Sequence, residues 1–163
     1  MSRFASVFLA AALAVTPVLA AADQMDHSMM GMPKGGMTMG GMTLGALPAS
    51  LQGKPVVVRI HADWCPACKA TRATYDGVVQ TYAGKATFLT FDVTDAKTSA
   101  SAEAKAKELG LSKLFEADKT KTSTVAVIDP KTGSIVASLY NDNESADYAQ
   151  AIDHARTEIK KTS

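Results

Sequence analysis

A β-branched run that leads through two cysteines into a helix is the feature that most restricts the fold of this chain. Residues 55–61 (PVVVRIH) predict a buried strand. Cys65 and Cys68 follow it, and apolar or semi-polar residues then recur at helical spacing at Cys68, Tyr75, Val78, Val79 and Tyr82. This succession predicts a β-α unit with two cysteine thiols at the turn between the strand and the helix.

The remaining pattern extends this unit into an α/β domain over residues 46–163. It predicts strands at 86–92, 123–129 and 134–140, a turn at 130–133, and helices at 101–109 and around 148–159. The order β-α-β-α-β-β-α indicates a mixed sheet with helices on both faces. With 17 basic and 16 acidic residues, the chain lacks the concentrated positive charge of a nucleic-acid-binding protein.

The spacing of the two cysteines indicates a redox pair. Cys65 is placed at a helix start, where free N–H groups and the helix dipole favour a thiolate, and Pro66 suits the first helical turn. Cys68 lies one turn later, within bonding reach. A bridge that closes so small a ring adds only about 2 kcal/mol, so stability explains it poorly. We expect Cys65 to be the exposed nucleophile and Cys68 the buried resolving thiol.

A cysteine pair at this spacing can also serve as half of a zinc site or as an inert structural bridge. Half of a zinc site would require two further cysteine or histidine ligands, and His27, His61 and His154 show no paired spacing. An inert bridge stays open, but Trp64 and Lys69 beside the pair suit an exposed helix start better.

The strand, the segment Trp64-Cys65-Pro66-Ala67-Cys68 at a helix start, and the β-β-α ending together resemble thioredoxin over roughly residues 50–160. The resemblance implies a three-layer α/β/α sandwich with a mixed central sheet. It also implies that Cys65 attacks substrate disulfides, that Cys68 resolves them, and that Trp64 shapes the substrate surface. Protein disulfides or dithiols, or a membrane electron donor, would be the partners, and exchange would need no cofactor.

The chain departs from the family at two positions that shape the site. Thioredoxins usually hold a buried acid six residues before the first cysteine, where this chain has Arg59. Arg59 either favours a thiolate or extends out of the strand with no redox role. Ser123 aligns with the family's cis-proline, after a polar loop at 116–122, and its smaller side chain would leave the thiols open to a soft metal.

His61, four residues before Cys65, has two interpretations. It is either a metal ligand or proton donor for the pair, or a strand histidine whose hydrogen bonds are satisfied.

Residues 1–22 predict a secretory signal peptide. Arg3 precedes an apolar run, Pro17 ends it, and small residues follow at a cleavage site. No uncharged stretch reaches the ~20 apolar residues of a membrane-spanning helix, so no span remains after cleavage. In a bacterium the protein would be periplasmic, where disulfides persist.

Residues 23–45 predict a flexible arm that is rich in methionine and glycine. It holds seven of the eight methionines and six of the eleven glycines. Thioethers are soft ligands that select Cu(I), and MDHSMMGM resembles the repeats of periplasmic copper-resistance proteins. The candidate ligands are Met25, His27, Met29, Met30, Met32, Met37, Met39 and Met42. The alternative is a linker whose methionines scavenge oxidants.

The sequence therefore predicts an exported thiol–disulfide oxidoreductase linked to copper and to copper proteins. A Cu(I) carrier with a thioredoxin fold and no turnover is the alternative from another class. A binding module without catalysis is the third. The reduction potential, and with it the direction of exchange, is left open.

Overall fold

The computed structural model describes residues 36–161, which form five strands, five α-helices and a short 3-10 helix at Ala49–Leu51. The strands are β1 (Gly36–Met39), β2 (Val56–His61), β3 (Thr87–Asp92), β4 (Thr124–Asp129) and β5 (Ser134–Tyr140). The helices are α1 (Pro66–Ala70), α2 (Arg72–Thr81), α3 (Ala96–Glu108), α4 (Ser112–Asp118) and α5 (Ser145–Lys161). Within these residues, no helix has the length and apolar character needed to cross a membrane.

The five strands form one mixed sheet in the order β1-β5-β4-β2-β3. β2 and β3 run parallel because α1 and α2 carry the chain back between them. The other neighbouring strands are antiparallel, and the turn at 130–133 joins β4 to β5 as the predicted hairpin. β2 therefore lies inside the sheet, and its end delivers the chain to the cysteine pair.

Helices cover both faces of this sheet. Along β2, Val56, Val58 and Ile60 point to one core, whereas Val57 points to the other. The first core is closed by α3 and α4 through Ala102, Ala106, Leu114 and Phe115. The second is closed by α2 and α5, and by the residue directly after α2, through Tyr75, Val78, Tyr82, Tyr148, Ala151, Ile152 and Ala155. The predicted three-layer α/β/α sandwich is confirmed.

The structure differs from the expected flexible arm over its last residues. Gly36–Met39 forms edge strand β1, which pairs with β5 so that Gly36 lies opposite Tyr140. The Met37 side chain packs against the second core. Backbone pairing to an open sheet edge depends little on side-chain type, so a glycine-rich strand forms there. The sheet therefore begins before residue 46, and the predicted signal peptide and residues 23–35 lie outside the described residues.

A close backbone approach holds the segment after β1 against the β4–β5 hairpin. Gly133 has a φ of +70°, and a Cβ at that position would collide with the Gly45 carbonyl group. Only glycine provides both the left-handed backbone and the space. Gly45, a glycine of the predicted arm, also has a positive φ, of +96°, so it too favours this packing.

Two helical segments also differ from the sequence prediction. Glu116 lies within α4, where a polar loop was expected, because Leu114 and Phe115 are buried in the first core and hold this turn against the sheet. The single helix expected after Cys65 is interrupted at Thr71 and continues as α2.

Hydrogen exchange tests the pairing of the segment after β1. The Gly40 N–H donates to the Val136 carbonyl over 2.7 Å, and the Leu44 N–H donates to the Gly133 carbonyl over 2.8 Å. We expect both amides to exchange at least about 100-fold more slowly than unstructured chain. If both amides exchange at the rate of unstructured chain in the mature protein, the interpretation of this segment as a flexible arm would be correct.

Candidate active site

Cys65 is the residue at which the chain turns into α1. Its backbone is extended, and Pro66 occupies the first helical position, where a missing N–H costs no hydrogen bond. The Cys68 backbone N–H donates to the Cys65 sulfur over 3.2 Å, so the sulfur serves as the N-terminal cap of α1. The Cys65 N–H donates to the Ala62 carbonyl over 3.1 Å. These contacts hold the sulfur where the positive end of the helix favours a thiolate.

The two thiols have different environments. Cys68 is fully buried and Cys65 is 3% exposed, so Cys65 is less exposed than predicted. Burial raises the pKa of the Cys65 thiol, but hydrogen bonds from the Thr122 side chain and from Cys68 lower it, and the net pKa lies below the ordinary value of 9.0. Burial raises the pKa of the Cys68 thiol above that value. Cys65 is therefore the thiol that ionises first.

A groove of about 210 Å³ gives access to Cys65. Its lining consists of Trp64, Cys65, Pro66, Ala67, Thr122, Tyr140 and Asn141. Trp64 is 59% exposed, and its indole N–H donates to the Thr94 carbonyl over 3.0 Å. Tyr140 is 41% exposed. Two exposed aromatic rings beside a thiol provide an apolar surface on which a polypeptide can lie.

Thr122 and Ser123 form the side of the site that comes from the start of β4. Ser123 is buried and has a φ of +73°, and there is no cis peptide bond among residues 36–161. The Ser123 N–H donates to the Ile60 carbonyl over 2.9 Å. Its hydroxyl lies 3.2 Å from the Thr71 hydroxyl. Thr122, rather than Ser123, lines the groove with Cys65, and its side chain lowers the pKa of the Cys65 thiol.

Arg59 lies beneath the cysteine pair and does not extend to solvent. The residue is 5% exposed, and its Nη2 donates to the Cys68 carbonyl over 3.0 Å. The guanidinium carbon lies 4.5 Å from the centre of the Tyr75 ring, in cation–π geometry. The alternative in which Arg59 extends out of the strand is therefore wrong.

His61 lies at the end of β2 and interacts with a neighbouring carboxylate. Its Nε2 is 3.1 Å from Asp63 Oδ1, and its Nδ1 is buried with no hydrogen-bond partner. No group of three histidine, cysteine or acidic side chains suited to a metal occurs in the part of the chain that the structure describes.

The predicted methionine ligands fall into two groups. Met25, His27, Met29, Met30 and Met32 lie outside the described residues. Met37 is half-buried, whereas Met39 and Met42 are 45% and 40% exposed. β1 runs away from the groove, so Met39 lies about 10 Å along the strand from the Gly36 end. The structure does not place these three methionines in the groove lining.

Sequence reasoning did not identify Thr122 and Tyr140 as groove residues. Thr122 directly precedes the position that aligns with the family's cis-proline. That adjacency was the one sequence signal that could have indicated Thr122 as a groove residue. Tyr140 ends an amphipathic strand as an exposed aromatic residue. Only the pairing of β5 with β4 places that strand end next to the cysteine turn.

The comparison with protein families agrees with this geometry. The family model described as Thioredoxin matches residues 48–132, which is more than half of the chain. The chain belongs to the thioredoxin family and is a thioredoxin-like thiol–disulfide oxidoreductase. No curated protein matches the chain.

Solved structures similar to this chain include three bacterial proteins. A DsbF homologue from Corynebacterium diphtheriae is 18% identical, with 65% of this chain and 74% of that chain covered and a TM-score of 0.47. The exposed lipoprotein thioredoxin of Streptococcus pneumoniae is 22% identical, with 65% and 88% covered and a TM-score of 0.48. A secreted thiol-disulfide isomerase from Corynebacterium glutamicum is 16% identical, with 67% and 74% covered and a TM-score of 0.47.

Thiol alkylation tests the effect of Thr122 on Cys65. In the reduced protein, the alkylation rate of Cys65 should rise with a midpoint below pH 9.0, because only the thiolate reacts. Thr122→Val removes one hydrogen bond to the sulfur and should move the midpoint upward. Thr120→Val, at an exposed position nearby, is the matched control. Equal midpoints in the two variants would contradict the contact.

Denaturation tests the backbone conformation of Ser123. Ser123→Gly should leave the free energy of unfolding unchanged or raise it, because glycine favours a positive φ. Ser123→Pro should lower it by about 3 kcal/mol, because proline fixes φ near −65° and removes the N–H that binds the Ile60 carbonyl. A proline variant as stable as the parent protein in urea would refute the left-handed conformation.

Proposed function

We propose that this protein is an exported oxidoreductase that exchanges disulfides through Cys65 as nucleophile and Cys68 as resolving thiol. The observation that carries the proposal is the difference between the two thiols. Cys65 caps α1, lines the groove and has a lowered pKa, whereas Cys68 is fully buried behind it and has a raised one.

Reduction of a substrate would proceed in two balanced steps. The Cys65 thiolate attacks one sulfur of the substrate disulfide, which forms a mixed disulfide and releases the other sulfur as a thiolate. Cys68 then attacks the Cys65 sulfur. This forms the Cys65–Cys68 disulfide, and the Cys68 proton passes to the departing substrate thiolate. The same steps in reverse oxidise a substrate dithiol.

The groove favours a polypeptide substrate. Trp64 and Tyr140 expose aromatic surface on the groove lining, and the hydrogen bond from the Trp64 indole fixes its ring. A protein disulfide or dithiol would therefore be the substrate. A membrane electron donor is the second partner we propose, because a reductase must regain two electrons after each cycle. The predicted signal peptide at 1–22 supports a periplasmic location, where such exchange is needed.

Trapping of a mixed disulfide tests the assignment of the two thiols. Cys68→Ser should accumulate a covalent adduct with a substrate protein, because nothing resolves it, whereas Cys65→Ser should form none. Either change should abolish catalysed insulin reduction. The adducts are counted by non-reducing electrophoresis and mass spectrometry. Equal trapping by both variants would contradict the assignment.

We also propose that the protein handles Cu(I) as a cargo, and one structural observation favours a link to the redox site. Gly36 lies opposite Tyr140, and Tyr140 lines the groove. The described chain therefore enters the sheet at the end of β1 that lies beside the groove. Soft thioethers select Cu(I). In the alternative function, the protein carries copper without turnover.

Copper titration separates these functions. In a background of Cys65→Ser and Cys68→Ser, replacement of Met25, Met29, Met30 and Met32 by leucine should lower Cu(I) uptake by about one ion per chain. Met37→Leu is the control, because this half-buried side chain packs against the core. Unchanged uptake would make the segment a linker. Uptake without insulin reduction in the parent protein would favour the carrier.

A further inference from the structure

Arg59 is a buried cation for which the surrounding protein supplies no carboxylate. It extends from the internal strand β2 toward α1 and α2, where it contacts the Cys68 carbonyl and the face of Tyr75. Among residues 36–161, no acidic side chain forms an ion pair with it. A buried charge without an ionic partner is costly, so a group that gains negative charge beside it is stabilised.

The titratable groups around Arg59 come from three helices. Burial raises the pKa of Tyr75 on α2 to about 12 and raises the pKa of Tyr148 on α5, so both phenols are neutral near pH 7. The Asp142 carboxyl contributes to the raised pKa of Tyr148, and the Tyr148 hydroxyl donates to the Asp142 backbone carbonyl over 2.8 Å. Asp76, an exposed acid on α2, also acts on Tyr75. On the α1 side, Arg59 acts on the thiol of Cys68.

From this placement we infer that Arg59 is a positioning residue that stabilises the negative charge of the reduced Cys65–Cys68 pair and thereby makes its disulfide more oxidising. The inference rests on the proposed disulfide exchange. Above the pKa of Cys65 the reduced pair carries one thiolate, and hydrogen bonding with the Cys68 side chain lowers that pKa. The positive charge of Arg59 lowers the pKa of Cys68 against the larger effect of burial, so Arg59 acts on the pair through the Cys68 sulfur. When the pair is oxidised, two electrons and the one remaining thiol proton leave, and the disulfide is neutral. In the oxidised form, no thiolate offsets the positive charge of Arg59. Arg59 therefore stabilises the reduced pair relative to the disulfide.

The positive charge of Arg59 also acts when Cys68 resolves the mixed disulfide. Cys68 must give up its proton as it attacks the mixed disulfide, and a guanidinium stabilises the forming thiolate but accepts no proton. The proton therefore leaves on the departing substrate thiolate rather than on a buried acid. Arg59 acts through the field at Cys68 and does not contact substrate.

The reduction potential tests this inference. The mature protein is equilibrated with oxidised and reduced glutathione, and the reduced fraction is measured by mass shift after alkylation. Arg59→Met should lower the equilibrium constant for reduction about tenfold, which corresponds to a potential lower by about 30 mV. Arg72→Met removes the same charge from an exposed position on α2 and should leave the constant unchanged.

The pH dependence distinguishes an electrostatic role from a structural one. Loss of the positive charge should raise the pKa of Cys65, so the difference between Arg59→Met and the parent protein should be full only above the higher pKa of the variant, where both reduced pairs carry a thiolate. It should disappear as the pH falls below the lower pKa of the parent protein, because both reduced pairs are then neutral. A difference that stays constant with pH would overturn the inference.

Two further variants keep the test decisive if Arg59→Met does not fold. Arg59→Gln retains a hydrogen-bond donor without the charge and should behave as Arg59→Met does. Arg59→Lys retains the charge and should stay close to the parent protein. If the parent protein fails to equilibrate with glutathione at all, the proposed exchange is wrong. If it equilibrates and the neutral Arg59 variants match Arg72→Met, only the role of Arg59 is wrong.

Discussion

The hydrogen bond from the Cys68 N–H to the Cys65 sulfur is the contact on which the site depends. This bond lies where the loop after β2 ends and α1 begins. It also holds Cys65 and Cys68 at a fixed distance from each other. Because the first cysteine acts as the helix cap, its sulfur lies at the positive end of the helix and faces the groove. The second cysteine is one turn inside, where burial keeps it protonated. The chemical difference between two identical side chains therefore follows from how one helix begins.

The buried charge below this turn distinguishes the site from the family pattern. An acid at the position of Arg59 would exchange protons with the resolving thiol, whereas a guanidinium remains charged throughout. Its carbonyl contact and its place over the Tyr75 ring hold it close to Cys68, and both contacts suit the planar guanidinium better than an ammonium group. The core beneath the dithiol is thus built around a fixed positive charge, which favours the states in which the sulfurs carry negative charge.

The order of the main strands and helices follows from hydrophobic periodicity, and the cysteine spacing located the candidate site. Prediction failed where packing overrides local preference. β1 forms from a glycine-rich segment because the open edge of β5 offers hydrogen bonds to any extended chain. α4 forms because Leu114 and Phe115 are buried under the sheet, although the surrounding residues are polar. Ser123, which aligns with the family's cis-proline, has a left-handed backbone. The preferences of a serine residue do not indicate that conformation.

By itself, the sequence determined the thioredoxin-like architecture and the place of the cysteine pair in it, because both depend on short-range patterns of burial and on two cysteines one helical turn apart. The tertiary structure decided what surrounds those sulfurs. Thr122 and Tyr140 reach the groove from the ends of different strands, and Arg59 is buried rather than exposed because α2 covers its face of β2. These contacts join residues that are far apart in the chain, and their effect on the thiols depends on distance and burial, which strand and helix periodicity do not encode.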